Sequence, residues 1–323
     1  MQTGYGQLLT TQTSVPPDYL EDWLFILSSQ NADRIRDASR SNCYDITNCF
    51  DSEEVISCLT AVCSKFNLSL EIQLCATWLY ERFMVAHIED LHEWLRKNKQ
   101  PTSAWHRLEG KVTNQTMLRI MSCVQIMSKI VSRNDDLTIE KIRNFLQRLG
   151  HCFSKQAILV SETRVLSTVG YRVFVASPLA YIESILLLIG CDDPNLHISL
   201  YYNLCVKITQ VVQLRKYQIY TRLLRSTLER DLQDSDRQKL RVIQADYMLL
   251  ASAVIACAIR MSDGSKDLSC ILELITKINY VKVDDVKDFA NAIICEIKAL
   301  KHSRQNDDTQ ATRTSKSLLA AVL

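Results

Sequence analysis

Two stretches of this chain, residues 117–131 and 245–261, are apolar on almost every side. The first carries Leu118, Ile120, Met121, Cys123, Val124, Ile126, Met127 and Ile130, and the second is an Ala-, Leu- and Ile-rich run around Cys257. A helix at the surface shows one apolar stripe, whereas a helix that is apolar all round must be enclosed by neighbours. The longest apolar run between charges, 247–259, has 13 residues. A membrane crossing needs about 20, so other helices of the same chain are the expected enclosure. The pattern predicts two bundles, each wrapped around one central rod.

The flanking sequence supplies such helices. Only 7 Gly and 5 Pro occur in 323 residues, too few for the turns of a sheet-rich protein. Val55, Ile56, Leu59, Val62 and Phe66 recur at three- and four-residue spacing, and Ile72, Leu74, Cys75, Leu79 and Phe83 follow over 69–85. Residues 90–114 are polar, with Pro101 near the middle, and predict an exposed connection with a short helix or two. Thr138 and Ser154 are expected N-caps, with Gly150 and Gly170 ending the helices that they open. Ser177 followed by Pro178 predicts another start, closed by Gly190. Further helices are expected over 196–214, 218–232, 268–278 and 284–300. The expected organisation is all-α. An N-terminal extension with one short helix (1–44) precedes two five-helix units, 45–175 and 176–300, and a disordered tail follows (301–323).

Several functional classes are disfavoured by composition. With 38 basic and 36 acidic residues the formal charge is +2, which argues against a nucleic-acid coat protein. Arg215, Lys216, Arg222, Arg225 and Arg230 form a local basic stretch, but Glu229, Asp231 and Asp234 lie among them, and a solvated face is the simpler reading. The 12 Cys include no CxxC and sit mostly in apolar stretches, which predicts buried free thiols in a reducing compartment. Residues 1–17 lack the charge and apolar run of a secretion signal. His87 and His92 are five apart, about 140° around a helix, where a zinc pair wants four. Neither a phosphate-binding glycine loop nor a nucleophile elbow occurs. No metal or cofactor is expected, nor any catalytic residue.

One resemblance is carried by residues in order and at spacing. The segments Cys58-Leu59, Lys65-Phe66-Asn67-Leu68, Glu71 and Glu81-Arg82-Phe83-Met84 resemble the first two helices of a cyclin box. The run from Leu118 to Ser128-Lys129 is similar to the third helix, and Ser161-Glu162, Leu166 and Tyr171 to the fifth and its exit. Pro178-Leu179-Ala180-Tyr181-Ile182 resembles the entry to a second cyclin fold. The likeness spans about residues 45–300. It implies a kinase-docking surface on the first box, pinned by Lys129 and Glu162, packed by Leu118, and rimmed by Ile130, Leu166, Tyr171 and Val173. Without that register, a Lys at a helix end and a Glu on an exposed helix are ordinary wet residues.

A narrower resemblance, to a meiotic branch of the cyclin-like proteins, rests on Arg82-Phe-Met-Val85, Trp105-x-x-Leu108, Leu118 to Gln125, Ser128-Lys129 with Arg133-Asn134, Asn144 to Gly150, and Ser177 to Glu183. It implies a non-enzymatic nuclear factor on meiotic chromosomes that promotes maturation of recombination intermediates into crossovers. Implied partners are ring-finger ligase and mismatch-repair type proteins and a cyclin-dependent kinase. Direct DNA binding and membrane attachment are not expected. The alternative is a conventional cyclin that activates a kinase in cell-cycle or transcription control. Two departures stand out: Ser52 and Glu81 replace the usual buried Arg–Asp pair, and Asp51, Ser52, Glu54, Val55 and Cys58 occupy the peptide-docking patch of the first helix. Carboxylates there would have to be desolvated beneath an incoming Leu, so docking of that type is not expected.

Overall fold

The computed structural model describes residues 16–40, 53–101, 103–132, 137–192, 197–262, 268–279 and 281–307. Among them there are fourteen α-helices, one 3-10 turn and no strand. The helices divide into two compact units, with the division in the second half of the chain falling between Val175 and Ala176.

After the N-terminal helix α1 (Pro17–Arg40), the first unit holds α2 (Glu53–Lys65), α3 (Leu70–Lys97), α4 (Ser103–Asn114), α5 (Thr116–Val131), α6 (Ile139–Arg148) and α7 (Lys155–Thr168). Helix α5 touches all five of the others. Ten of its residues, from Leu118 to Ser128, are buried, which is the expected central rod. Each fully buried Ile, Val or Met contributes about 1.5–3 kcal/mol, so this helix anchors the unit. Thr138 and Ser154 cap as expected, their hydroxyls accepting from the backbone N–H of Lys141 (3.3 Å) and Ala157 (3.1 Å). Gly150 and Gly170 take the left-handed conformation, at φ +83° and +63°.

The second unit contains α1 (Pro17–Arg40), α8 (Pro178–Asp192), α9 (Ile198–Leu214), α10 (Lys216–Leu228), α11 (Arg237–Ala245), α12 (Tyr247–Met261), α13 (Leu268–Asn279) and α14 (Val283–Asp307). Helix α12 is its rod, touching α1, α8, α9, α13 and α14, with the unbroken run 250–259 buried. The N-terminal helix is long, 24 residues, and seats Leu20, Leu24, Leu27 and Asn31 inward. Polar contacts fix it in place. Asn31 donates to Asp246 (2.9 Å) and accepts from the Tyr247 N–H (2.8 Å). Tyr181 Oη donates to the Leu27 carbonyl (3.0 Å), and the Arg34 guanidinium lies 3.0 Å from the centre of the Tyr247 ring.

Several boundaries differ from expectation. The described helices number six and eight, against five in each unit and one ahead of them. Helix α3 continues from 85 to Lys97 because Ile88 is still buried, after which a wet face carries the last turns. Helix α4 is a full helix holding Ala104 and Val112 inward. Gly190 does not end α8. It lies inside the helix, where an added Cβ would come within 1.9 Å of Ile198 Cδ1, so its role is close approach of α8 to the start of α9. Pro178 opens α8, but the Ser177 hydroxyl is buried without a hydrogen bond, and only its carbonyl accepts, from the Ala180 N–H. Helix α14 runs on to Asp307, into the stretch read as tail. Residues 1–15 and 308–323 lie outside the described residues, as do Asp51, Ser52, Arg133 and Asn134.

Candidate functional site: an ion pair with an apolar rim

Lys129 sits in the last turn of α5, where a cation meets the negative end of the helix dipole. Glu162 projects from the middle of α7. Packing of α7 on α5 through the buried residues Ile158, Ser161 and Val165 sets their separation. Lys129 Nζ donates to Glu162 Oε1 at 2.5 Å across 33 residues of sequence. The lysine side chain is 43% exposed and the carboxylate 13%. A pair this wet contributes about 0.5 kcal/mol to folding. Covered by a partner, the same charges lose their water and fix register, which is where such pairs gain strength.

The apolar residues expected with the pair are partly or well exposed. Ile130 follows Lys129 and is 43% exposed. Leu166 and Val173 are half-buried. Tyr171 is 67% exposed and left-handed at φ +58°, directly after left-handed Gly170. A left-handed non-glycine residue costs about 1 kcal/mol. The turn is held by the Tyr171 N–H donating to the Leu166 carbonyl (2.8 Å) and by Arg82 Nη1 donating to the Arg172 carbonyl (2.9 Å). Arg82 therefore positions the exit of α7, although it is remote in sequence.

Leu118 is placed elsewhere. It is buried, and eleven residues of helix put it about 16 Å along α5 from Lys129. The buried residues one turn before Lys129 are Gln125 and Ile126, and sequence reasoning read Ile126 as part of the central rod and missed it as a neighbour of the pair. It also missed Leu159, Val160 and Phe174, which are 40%, 56% and 65% exposed. Leu159 could have been found: it lies three before Glu162 and seven before Leu166, on the same face of α7. Phe174 gives no such signal, because it follows the end of the helix.

Other candidates resolve differently. Arg215 and Arg222 both meet buried Glu296 (3.0 and 3.6 Å), Arg225 meets Asp231 (3.7 Å), and Arg230 pairs with Asp236 (2.7 Å). The Arg230 guanidinium and the Gln233 N–H hold the Asp236 carboxyl well below its usual range. The basic stretch thus spends its charge within the fold. His87 stacks on Phe83 and His92 on Trp105, so they do not share a site. Of the docking-patch residues, Val55 is buried and Cys58 half-buried.

No family model matches the chain. It is similar to human cyclin N-terminal domain-containing protein 1, 27% identical over 285 residues that span 87% of this chain and 84% of the relative. The mouse protein of the same name is 24% identical over 292 residues, 89% of this chain and 84% of the relative. The all-α structure and these relatives agree with the resemblance read from the residues.

Proposed function

We propose that this cyclin-like chain is a regulator without a reaction of its own, acting in the nucleus to bring meiotic recombination intermediates to crossovers. It does so through protein partners, among them a cyclin-dependent kinase seated on the α5–α7 surface. The observation carrying the kinase part is the Lys129–Glu162 pair with exposed Ile130, Leu159, Tyr171 and Phe174 around it. Charged pins within an apolar field are the make-up of a docking interface. The meiotic part rests on the narrower resemblance, whereas the relatives of one name support the cyclin-like part. Crossover-site ring-finger and mismatch-repair type proteins are the other partners of this reading.

The same ion pair also favours a second reading, a conventional cyclin of dividing cells. One experiment separates them. The chain is affinity-purified from meiotic and from mitotic cells, as wild type and as Lys129→Ala/Glu162→Ala. The proposal expects a cyclin-dependent kinase and recombination proteins from meiotic cells, with the kinase lost from the variant. Kinase recovered from mitotic cells alone would favour the second reading. Kinase recovered equally with the variant would remove the surface from both.

A further inference from the structure

On the other side of α7 from Glu162, three helices bring together two guanidiniums and a histidine, and no carboxylate pairs with either guanidinium among the described residues. Arg164 is two residues beyond Glu162, about 200° around the helix, so it cannot belong to the kinase-type surface. Its Nη2 lies 3.5 Å from Nδ1 of His87 on α3. Arg119 enters from α5, with Nη1 donating to Ser161 (2.7 Å) and Nη2 to Gln115 (2.7 Å). Its Nε is buried and unpaired, and its guanidinium stands 5.6 Å from the centre of the Phe83 ring. Burial, and then the nearby Arg164 guanidinium, work against the charge of Arg119, and neither arginine has an ion pair among the described residues. His87 is 8% exposed. Its burial, and then the flanking arginines, hold it neutral, against a weaker opposite pull from Asp90 one turn on.

Desolvated like charges are costly to assemble, and a fold commonly answers them with an acid. Here Asp90 acts on His87, and among the described residues it pairs with neither guanidinium. Phe83, His87 and Ser161 are buried, whereas Arg164 and Gln115 are exposed, so the cluster has one side open to water, which is its mouth. Planar forks from two directions match the tetrahedral oxygens of a phosphoryl group. We infer that the Arg119–Arg164–His87 cluster between α3, α5 and α7 is an oxyanion site that receives a phosphoryl group. The group comes either from a phosphorylated side chain of a partner or from free phosphate. Arg119, braced by Ser161 and Gln115, is the fixed half of the clamp. Arg164, at the mouth, is the half that closes on the ligand.

Isothermal titration of the full chain tests this with inorganic phosphate, with N-acetyl-O-phosphoserine methylamide and with its unphosphorylated counterpart. Sodium chloride at matched ionic strength is the reference. Wild type should bind a phosphorylated probe and not the unphosphorylated one. Arg164→Gln should weaken binding by about tenfold or more, and Arg164→Lys by less. In chloride, Arg164→Gln should melt no lower than wild type, because it removes a repelling neighbour of Arg119; this also shows that the variant is folded. Tighter binding of the phosphoserine probe assigns the site to phosphorylated partners, and binding of inorganic phosphate alone to the free ion. No heat with either phosphate probe, or equal binding by Arg164→Gln, would overturn the inference.

Discussion

Asn31 ties the N-terminal helix to the start of the central helix of the second unit, and its removal has a calculable effect. It is 6% exposed and satisfies two groups, the Tyr247 N–H and the Asp246 carboxylate. Asp246 is itself the N-cap of α12, accepting from the Leu249 N–H at 2.9 Å. In Asn31→Ala the Tyr247 N–H becomes an unpaired buried donor, costing about 1–3 kcal/mol, and the carboxylate loses a donor worth about 1.5 kcal/mol. The gain in helix propensity on going to Ala returns only about 0.5 kcal/mol. The net expectation is a loss of about 2–4 kcal/mol, which lowers the protection of α1 amides by about 30- to 1000-fold. Native-state hydrogen exchange read on peptides from α1 and from the first turn of α12 measures it. Asn31→Asp is a companion variant: it keeps an acceptor for Tyr247 but sets a second carboxylate beside Asp246. Its destabilisation should shrink as the pH falls and one carboxyl takes up a proton. Unchanged α1 protection in Asn31→Ala would sink this expectation, because the two Asn31 bonds would then add nothing to the docking of the helix.

Three further outcomes follow from local structure. His87 has a pKa of about 4 in the fold against an ordinary 6.5, through burial first and then Arg164 and Arg119, with Asp90 opposing. The unfolded chain therefore binds the extra proton first as pH drops. The stability of the first unit should fall between pH 6.5 and 4, by about 2 kcal/mol, less than the full shift because the mouth is wet; urea midpoints should show this loss, and His87→Gln should flatten it. Gly190→Ala should cost about 1–3 kcal/mol by forcing Ile198 aside, and Gly150→Ala about 1 kcal/mol through its φ of +83° with open space around the new methyl group; thermal melts of Gly190→Ala should recover in part with Ile198→Val, whereas no neighbouring substitution should rescue Gly150→Ala. Among the described cysteines, iodoacetamide at neutral pH should label exposed Cys152, Cys191 and Cys295. It should spare Cys58, Cys63 and Cys257, whose thiols burial pushes up to about 11, 12 and 12. Peptide mass mapping checks this.

Features written in neighbouring residues were legible. The two rods at 117–131 and 245–261 follow from unbroken apolarity, and the caps at Thr138 and Ser154 and the stops at Gly150 and Gly170 from single residue types with a local job. Features that depend on distant partners were not. Gly190 has the look of a helix stop, and only the approach of Ile198 explains why it lies inside one. The docking of α1 rests on Asn31 meeting Asp246 across 215 residues, and no periodicity records that. Helix α3 outlasts its apolar pattern because wet turns ride on a helix already anchored at Ile88. The Lys129–Glu162 pair became visible only through family register, since each residue alone looks like an ordinary wet side chain. The cluster around His87 was passed over because sequence offered only its spacing to His92, whereas its neighbours come from α5 and α7.

The central claim is that partners seat on the α5–α7 surface. Its most direct measurement is photocrosslinking in meiotic cell extract, with p-benzoylphenylalanine at Tyr171 or, as a control, at Phe25. Both positions are well exposed, 67% and 77%, and both are aromatic. Position 171 should give a covalent adduct with a cyclin-dependent kinase and position 25 none, with the adduct at 171 lost when Lys129→Ala/Glu162→Ala is added. A kinase adduct from position 25 and none from 171 would contradict it.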